Sequence, residues 1–276
     1  MTAPTVSVLM AVHDGAPWVA DAVRSVLGQT LADLELIVVD DGSTDATPDL
    51  LAGITDGRVH VAKRAREGLT RALNHALGRA RAPLVARLDA DDVSLPERLA
   101  RQVAFLERHP DVGVIGTAAR EVDARGHELG VVRPPEDDAA IRRALIRRNP
   151  MLHSTVMVRR ALLARVGGYD ETFAVAQDYD LWLRLTAVTR LANLAEPLVV
   201  RRLLPDRVSV ARDAERLRAD ARVRWRAVRA GAYPPWCAVF VARPLLALAL
   251  PPALRRLLRR RLAYPQGGGP QGGFRT

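Results

Sequence analysis

The sequence contains one cysteine, Cys237, in 276 residues, which excludes a disulfide framework and a metal site built on thiolates. A reducing compartment is the expectation that follows. Aromatic residues make up 4% of the chain, too few for the stacking platforms on which nucleic acid is held. Lysine occurs once, at Lys63, so nearly every positive charge is an arginine. The turn after the first strand, Ala11-Val12-His13-Asp14-Gly15, has one glycine and no G-x-G-x-x-G, and no P-loop occurs anywhere, so the glycine-rich turns that cradle phosphates on backbone N–H groups are missing there. Nor is there an uninterrupted apolar run of about 20 residues, the length a membrane-spanning helix needs. Residues 1–4 lead straight into the apolar run Val6–Val12 with no charged stretch and long hydrophobic core, so no signal peptide is expected.

What remains is ordinary for a globular chain, 49% apolar and 26% charged, and long enough for one large domain with an appendage. The net charge of +10 is unevenly placed. Residues 1–211 carry 27 basic and 28 acidic side chains, whereas residues 212–276 carry 14 and 3. The body is neutral, and basicity belongs to the appendage rather than to a site of chemistry. Nucleic acid is not an expected partner.

Hydrophobic patterning places short buried strands at Val6–Val12, 34–39, 59–62 and 84–88, with helical spacing over 17–27, 45–54 and 68–80 between them. Strands alternating with helices predict an α/β fold with a doubly wound, mostly parallel central sheet flanked by helices. Beyond the helix of 95–108 the pattern changes to shorter strands and helices, read as a mixed second half of the same domain, 1–210. In such sheets ligands sit beyond the carboxyl ends of the strands. Two acidic clusters, Asp40-Asp41 and Asp89-Ala90-Asp91-Asp92, fall at strand carboxyl ends.

Asp89 and Asp91 lie within reach of one ion, and hard cations such as Mg²⁺ or Mn²⁺ prefer oxygen ligands shared with substrate phosphates. With no glycine-rich turn after the first strand, a metal-bridged nucleoside diphosphate is the better reading. Alone, an Asp-x-Asp triplet is more often a solvated turn, and Asp41-Gly42-Ser43 is itself a favoured turn sequence. Position at neighbouring strand ends favours the functional reading.

The order of short motifs adds to this. Val6-Ser7-Val8-Leu9-Met10 is followed by Ser25-Val26-Leu27-Gly28-Gln29-Thr30 and Val39-Asp40-Asp41-Gly42-Ser43-Thr44-Asp45. Then come Leu88-Asp89-Ala90-Asp91-Asp92 through Leu95-Pro96-Glu97-Arg98-Leu99, Gly167-Gly168-Tyr169, and Asp178-Tyr179-Asp180-Leu181-Trp182. Over roughly residues 5–210 the chain resembles the inverting family 2 glycosyltransferases of GT-A fold. The resemblance implies that the first strand's end, at Ala11 and His13, and Asp41 hold the nucleotide, Asp41 contacting the base. It implies that Asp89 and Asp91 hold a divalent metal and the sugar nucleotide, Asp91 more directly. His153 would line the acceptor side or pack as a structural histidine. Asp178 would be the general base, and its alternative is an N-cap of the helix that follows. Gln177, Leu204 and the pair His13-Asp14 depart from the residues that many relatives carry there.

The implied reaction moves a sugar from a nucleotide-diphosphate sugar to a hydroxyl of a glycan or lipid-linked acceptor. The Gln-x-x-Arg-Trp motif of processive synthases is absent, which predicts one sugar per encounter. Two rival readings are a catalytically inactive relative that binds glycan or a partner, and a sugar nucleotidyltransferase. The latter would want a glycine- and arginine-rich loop after the first strand, which is missing. Residues 211–263 read as a basic, partly apolar helical extension and 264–276 as a disordered tail. Short apolar pieces alternating with arginine clusters over 212–263 suit peripheral contact with anionic lipid, or else a packing helix with a solvated face. The expected location is the cytoplasm, with that segment at the inner face of the cell membrane.

Overall fold

A computed structural model describes residues 3–204, 212–251 and 255. Val6–Val12 (β1) and Leu34–Asp41 (β2) are buried at every position because both faces of their sheet are covered. Period-two alternation divides their side chains. Val6, Val8, Met10 and Val12 pack with Val19 and Val23 of Val19–Leu27 (α1) and with Leu99 and Val103 of Arg98–Arg108 (α4). Leu9, Ala11, Ile37 and Val39 pack with Ala72, Leu73 and Ala76 of Leu69–Arg79 (α3). The same parity sends Asp41, two residues after Val39, to the α3 face.

The remaining elements of the first half are Thr47–Ala52 (α2), Val59–Arg64 (β3), Leu84–Arg87 (β4) and Val93–Ser94 (β5). The second half comprises Val112–Val122 (β6), Glu128–Val132 (β7), Asp138–Leu145 (α5), Met157–Arg159 (β8), Arg160–Val166 (α6), Gln177–Leu185 (α7) and Arg190–Arg202 (β9). The strands form one sheet of order β3-β2-β1-β4-β8-β6-β9-β5, with β7 on β6. The first four are mutually parallel. The later strands are mixed: β8 runs antiparallel to both β4 and β6, while β9 is parallel to β6. The chain winds outward from β1 to β3 and resumes on β1's other side with β4. That reversal opens a crevice beyond the carboxyl ends of β1 and β4.

Helix α1 begins at Val19, not at 17, because Gly15 to Trp18 form a turn closed by the Trp18 N–H on the Gly15 carbonyl at 2.9 Å. Helix α2 begins at Thr47 because Asp45 Oδ1 accepts its N–H at 2.9 Å and ends the loop there.

After β9, Asp213–Arg229 (α8) lies on α7, burying Leu217, Ala221, Val223 and Arg224. Arg224 Nε donates to Tyr179 Oη at 3.1 Å, and Arg226 pairs with Asp170 at 2.6 Å. The packing alternative therefore holds for this helix. A short turn follows, with buried Cys237, and then Val239–Leu248 (α9), which contains Pro244. Trp236, Val239, Leu245 and Leu246 are exposed. No helix among the described residues is long and apolar enough to cross a membrane. The expected boundary at 210, the arginine run after 255 and the tail of 264–276 lie outside the described residues.

Candidate active site

Strand β4 ends on Arg87, and the acidic run follows two residues later. Arg87 is 2% exposed, a full charge inside an otherwise apolar strand. It is held by an ion pair to Asp89 and by donation from Nη1 to Ser154 Oγ at 2.9 Å. Ser154 in turn donates to Asp89 Oδ2 at 2.6 Å and accepts the Asp89 N–H at 3.0 Å. Burial alone would raise the Asp89 carboxyl, but Arg87 and Ser154 outweigh it and hold it well below the usual range. Beneath lies Arg98, 0% exposed, whose Nη2 donates to the Arg87 carbonyl at 2.7 Å. Burial first, and then the like charge of Arg87, push Arg98 down to about 9.

Asp89, Asp91 and Asp92 present carboxylate oxygens that all lie within 4.8 Å of one another. Asp92 Oδ1 accepts the N–H of Arg202 at 2.8 Å, so Asp92 is tied to the end of β9. Asp91 makes no hydrogen bond to another described residue. Burial, then the charge of Asp89, push Asp91 up to about 6; burial, then Asp89 and Asp91, push Asp92 up to about 7. Three crowded carboxylates of which one has both oxygens open form a hard donor set suited to Mg²⁺ or Mn²⁺, and a cation would relieve their mutual repulsion. The residues fit a divalent metal.

On the far side, α7 opens at Gln177 after Ala176, which takes φ 60 and ψ 20 at the cap position. Asp178 therefore sits inside the first turn and is not the N-cap. Its Oδ2 accepts from Asn149 Nδ2 at 2.7 Å, and Asn149 is fixed by its own Oδ1 accepting the Met151 N–H at 3.1 Å. Burial pushes Asp178 up to about 6. His153 Nε2 lies 2.9 Å from Tyr169 Oη, its ring edge-on to Trp182. Burial, then Arg87, push its pKa well below the usual value, so it is a neutral imidazole at physiological pH.

Asp89, His153 and Asp178 border one cavity of about 1280 Å³. Ala11, His13 and Asp41 do not line it. They stand at the adjoining ends of β1 and β2, where His13 Nδ1 lies 3.0 Å from the Asp41 carbonyl oxygen. Asp41 accepts the N–H groups of Glu67 at 2.7 Å and Gly68 at 2.9 Å, docking the loop that starts α3. Leu69, the first residue of α3, does border the cavity. Gly42 is required here, since with φ +73 its missing Cβ would meet the Arg66 backbone nitrogen at 2.8 Å.

Reading the sequence missed Arg87, Ser154, Asn149 and Arg202. Arg87 had a signal, a charge inside a strand of apolar residues. The others had none, because their partners are brought together only by the sheet.

The family model described as Glycosyl transferase family 2 matches residues 7–167. The O-antigen biosynthesis glycosyltransferase WbnJ of Escherichia coli is 33% identical over 65% of this chain and 71% of its own length. The amylovoran biosynthesis glycosyltransferase AmsE of Erwinia amylovora is 32% identical over 72% of this chain and 76% of its own. Among solved structures, the mannosyltransferase PcManGT of Pyrobaculum calidifontis, in complex with GDP-Man and Mn²⁺, superposes with a TM-score of 0.62. It shares 24% identity, over 95% of this chain and 81% of that one. That likeness is one of fold, and the fold is GT-A.

Proposed function

The chain belongs to glycosyl transferase family 2, and from that membership we propose an inverting, metal-dependent enzyme that transfers one sugar per encounter. The donor is a nucleoside-diphosphate sugar, and the acceptor a hydroxyl of a glycan or lipid-linked saccharide. The observation that carries this reading is that Asp89 of the acidic cluster and Asp178, far apart in sequence, border the same cavity. The names of WbnJ and AmsE, both biosynthetic glycosyltransferases, support a role in surface-glycan assembly. The Mn²⁺ and GDP-Man of PcManGT support the donor and the metal.

In this reading Asp178, poised near pH 6 by burial, accepts the proton of the acceptor hydroxyl as that oxygen bonds to the anomeric carbon. The bond from the anomeric carbon to the diphosphate oxygen breaks on the opposite face, its electron pair leaving with the diphosphate, so configuration inverts. Asn149 fixes the carboxylate's orientation, and neutral His153 leaves it the base in that wall of the cavity. Asp91, with Asp89 and Asp92 behind it, would hold the metal, which neutralises charge developing on the leaving group. Asp41, with Ala11 and His13 beside it, is assigned to the nucleotide.

A thermal-shift series with UDP and GDP tests the donor and metal together. Stabilisation that needs Mn²⁺, and that weakens at least about tenfold in Asp91→Ala, is expected. Equal stabilisation with and without metal would overturn the metal assignment.

The exposed Trp236, Val239, Leu245 and Leu246 lie in a region with 14 basic and 3 acidic residues, and they suit a surface of anionic lipid. The full chain should float with phosphatidylglycerol-containing vesicles and not with pure phosphatidylcholine. The double variant Trp236→Glu, Leu246→Glu should stay in the pellet. Flotation of that variant to the wild-type extent would end the lipid assignment.

A further inference from the structure

Asp178 comes two residues after Ala176, whose φ of 60 lies in the left-handed region, and such a backbone persists only where its surroundings fix it. Part of that hold comes from α8. Arg226 pairs with Asp170 at 2.6 Å and lies 4.9 Å from the centre of the Phe173 ring, both in the segment leading into α7. The Arg226 side chain is 42% exposed, however, and exposed pairs contribute little. The stronger hold is Arg224 on the same helix, only 5% exposed.

Leu217, Ala221 and Arg224 recur at helical spacing along the buried side of α8. An apolar side chain in the third place would cover α7 without the cost of taking a charge out of water. Of the Arg224-Trp225 pair it is the tryptophan that is left in solvent, 48% exposed, while the guanidinium is enclosed. Packing does not account for Arg224, but its hydrogen bonds do. Nη1 donates to the Phe240 carbonyl at 2.9 Å. That carbonyl belongs to the first turn of α9, and the fourth residue on is Pro244, which has no N–H to offer it. Nε donates to Tyr179 Oη at 3.1 Å. The phenol has one proton, and with Arg224 donating to its oxygen that proton is turned to the Leu145 carbonyl at the end of α5. Arg224 thus ties α9 and α7 to α5.

These bonds enclose Asp178. Tyr179 is joined to it by a peptide bond, and the turn that follows Leu145 carries Asn149, whose Nδ2 donates to Asp178 Oδ2 at 2.7 Å. We propose that Arg224 is a positioning residue for glycosyl transfer: through Tyr179 and the end of α5 it fixes the Asp178 carboxylate against Asn149. The proposal rests on the reading of Asp178 as the base, and it gives the appended α8 a part in the reaction. Displacing a reacting group by about 1 Å can cost about 100-fold in rate, so a hold of this kind matters to turnover more than to folding. Arg224 also borders the cavity, and a direct contact with the donor is the competing outcome.

Donor hydrolysis by the full chain tests this, with Mn²⁺ present and water as acceptor. The probes are UDP-glucose, UDP-N-acetylglucosamine and GDP-mannose. Arg224→Met should lower kcat at least about tenfold while the donor KM stays within about twofold of the wild type's. Tyr179→Phe should lower kcat as well, and the double variant no further than Arg224→Met alone, since both break one chain of bonds. Arg224→Lys keeps the charge and a donor, and should recover part of the rate. The Tm of Arg224→Met should stay near the wild type's, because an apolar residue of similar length suits the buried position. If that variant does not fold, Tyr179→Phe and Arg224→Lys carry the same comparison. An unchanged kcat would overturn the proposal, as would a loss confined to KM, which would make Arg224 a donor contact. The base reading fails separately, if Asp178→Asn hydrolyses the donor at the wild-type rate. A second measurement needs no turnover. The Asn149 side-chain amide resonance, assigned by its loss in Asn149→Ser, should shift in Arg224→Met and Tyr179→Phe as its bond to Asp178 changes. A resonance unmoved in both variants overturns the proposal even where no donor is hydrolysed.

Discussion

Asp178→Asn should lower sugar transfer by about 100- to 10,000-fold while leaving nucleotide affinity in place, because it removes a proton acceptor and no donor contact. Asparagine keeps the volume and, with its carbonyl turned to Asn149, keeps the hydrogen bond that now measures 2.7 Å. The pH profile carries the second half of the prediction. Asp178 is raised to about 6 by burial, and only the carboxylate accepts a proton, so transfer should fall about tenfold per unit below about pH 6. Stability should move the other way. A carboxyl whose folded pKa is raised binds its proton more tightly folded than unfolded. Its penalty is therefore absent below about pH 4 and complete above about pH 6. Asp178→Asn removes that penalty, so its Tm at pH 7.5 should exceed that of the wild type. A variant that loses activity and melts lower would mark Asp178 as structural.

The largest effect on stability is expected at Arg87. Arg87→Met leaves Asp89 without its cation and Ser154 with one of its two donors, the Asp89 N–H, and breaking a buried pair costs about 3–5 kcal/mol. Two observations discount this. The Asp89 side chain retains 39% exposure, so water recovers part of its solvation. Arg98, held down to about 9 by burial and by Arg87, also loses a repelling neighbour. We expect about 2–3 kcal/mol, a fall in Tm of roughly 5–10 °C for a chain of this size. Urea denaturation measures it, and a midpoint equal to the wild type's would show that Arg87 does not brace the cluster. Metal-dependent UDP stabilisation should fall with it, since Asp89 would no longer be anchored.

Much of the first half of the molecule is legible in its residue pattern. The parallel arrangement follows from short apolar runs separated by helical spacing, and β1 to β4 lie where those runs are. Asp41, Asp89 and Asp91 are legible as turn residues at strand ends. A capping role for Asp178 is not upheld, because a cap depends on the backbone angles of Ala176, which periodicity does not report. Nor does spacing distinguish the two acidic clusters. Asp41 uses both carboxylate oxygens on the backbone of the α3 loop, whereas Asp91 keeps its own open. The fate of the arginines is equally hidden. Arg87 is sealed in the sheet and Arg98 beneath it at the start of α4, Arg224 lies under α9, and Arg147 and Arg148 border the cavity, although all are the same residue type.

The order of residues along the chain was enough to set the alternation of strand and helix, the family and the acidic turns that close the strands, since each is written in neighbours a few positions apart. Folding in three dimensions was needed to settle which carboxylate is free, which is braced and which is held protonated to higher pH. Those properties depend on desolvation and on partners such as Ser154, Asn149 and Arg202. The chain brings such partners within hydrogen-bonding distance only after the sheet has reversed its winding and α7 has closed over it.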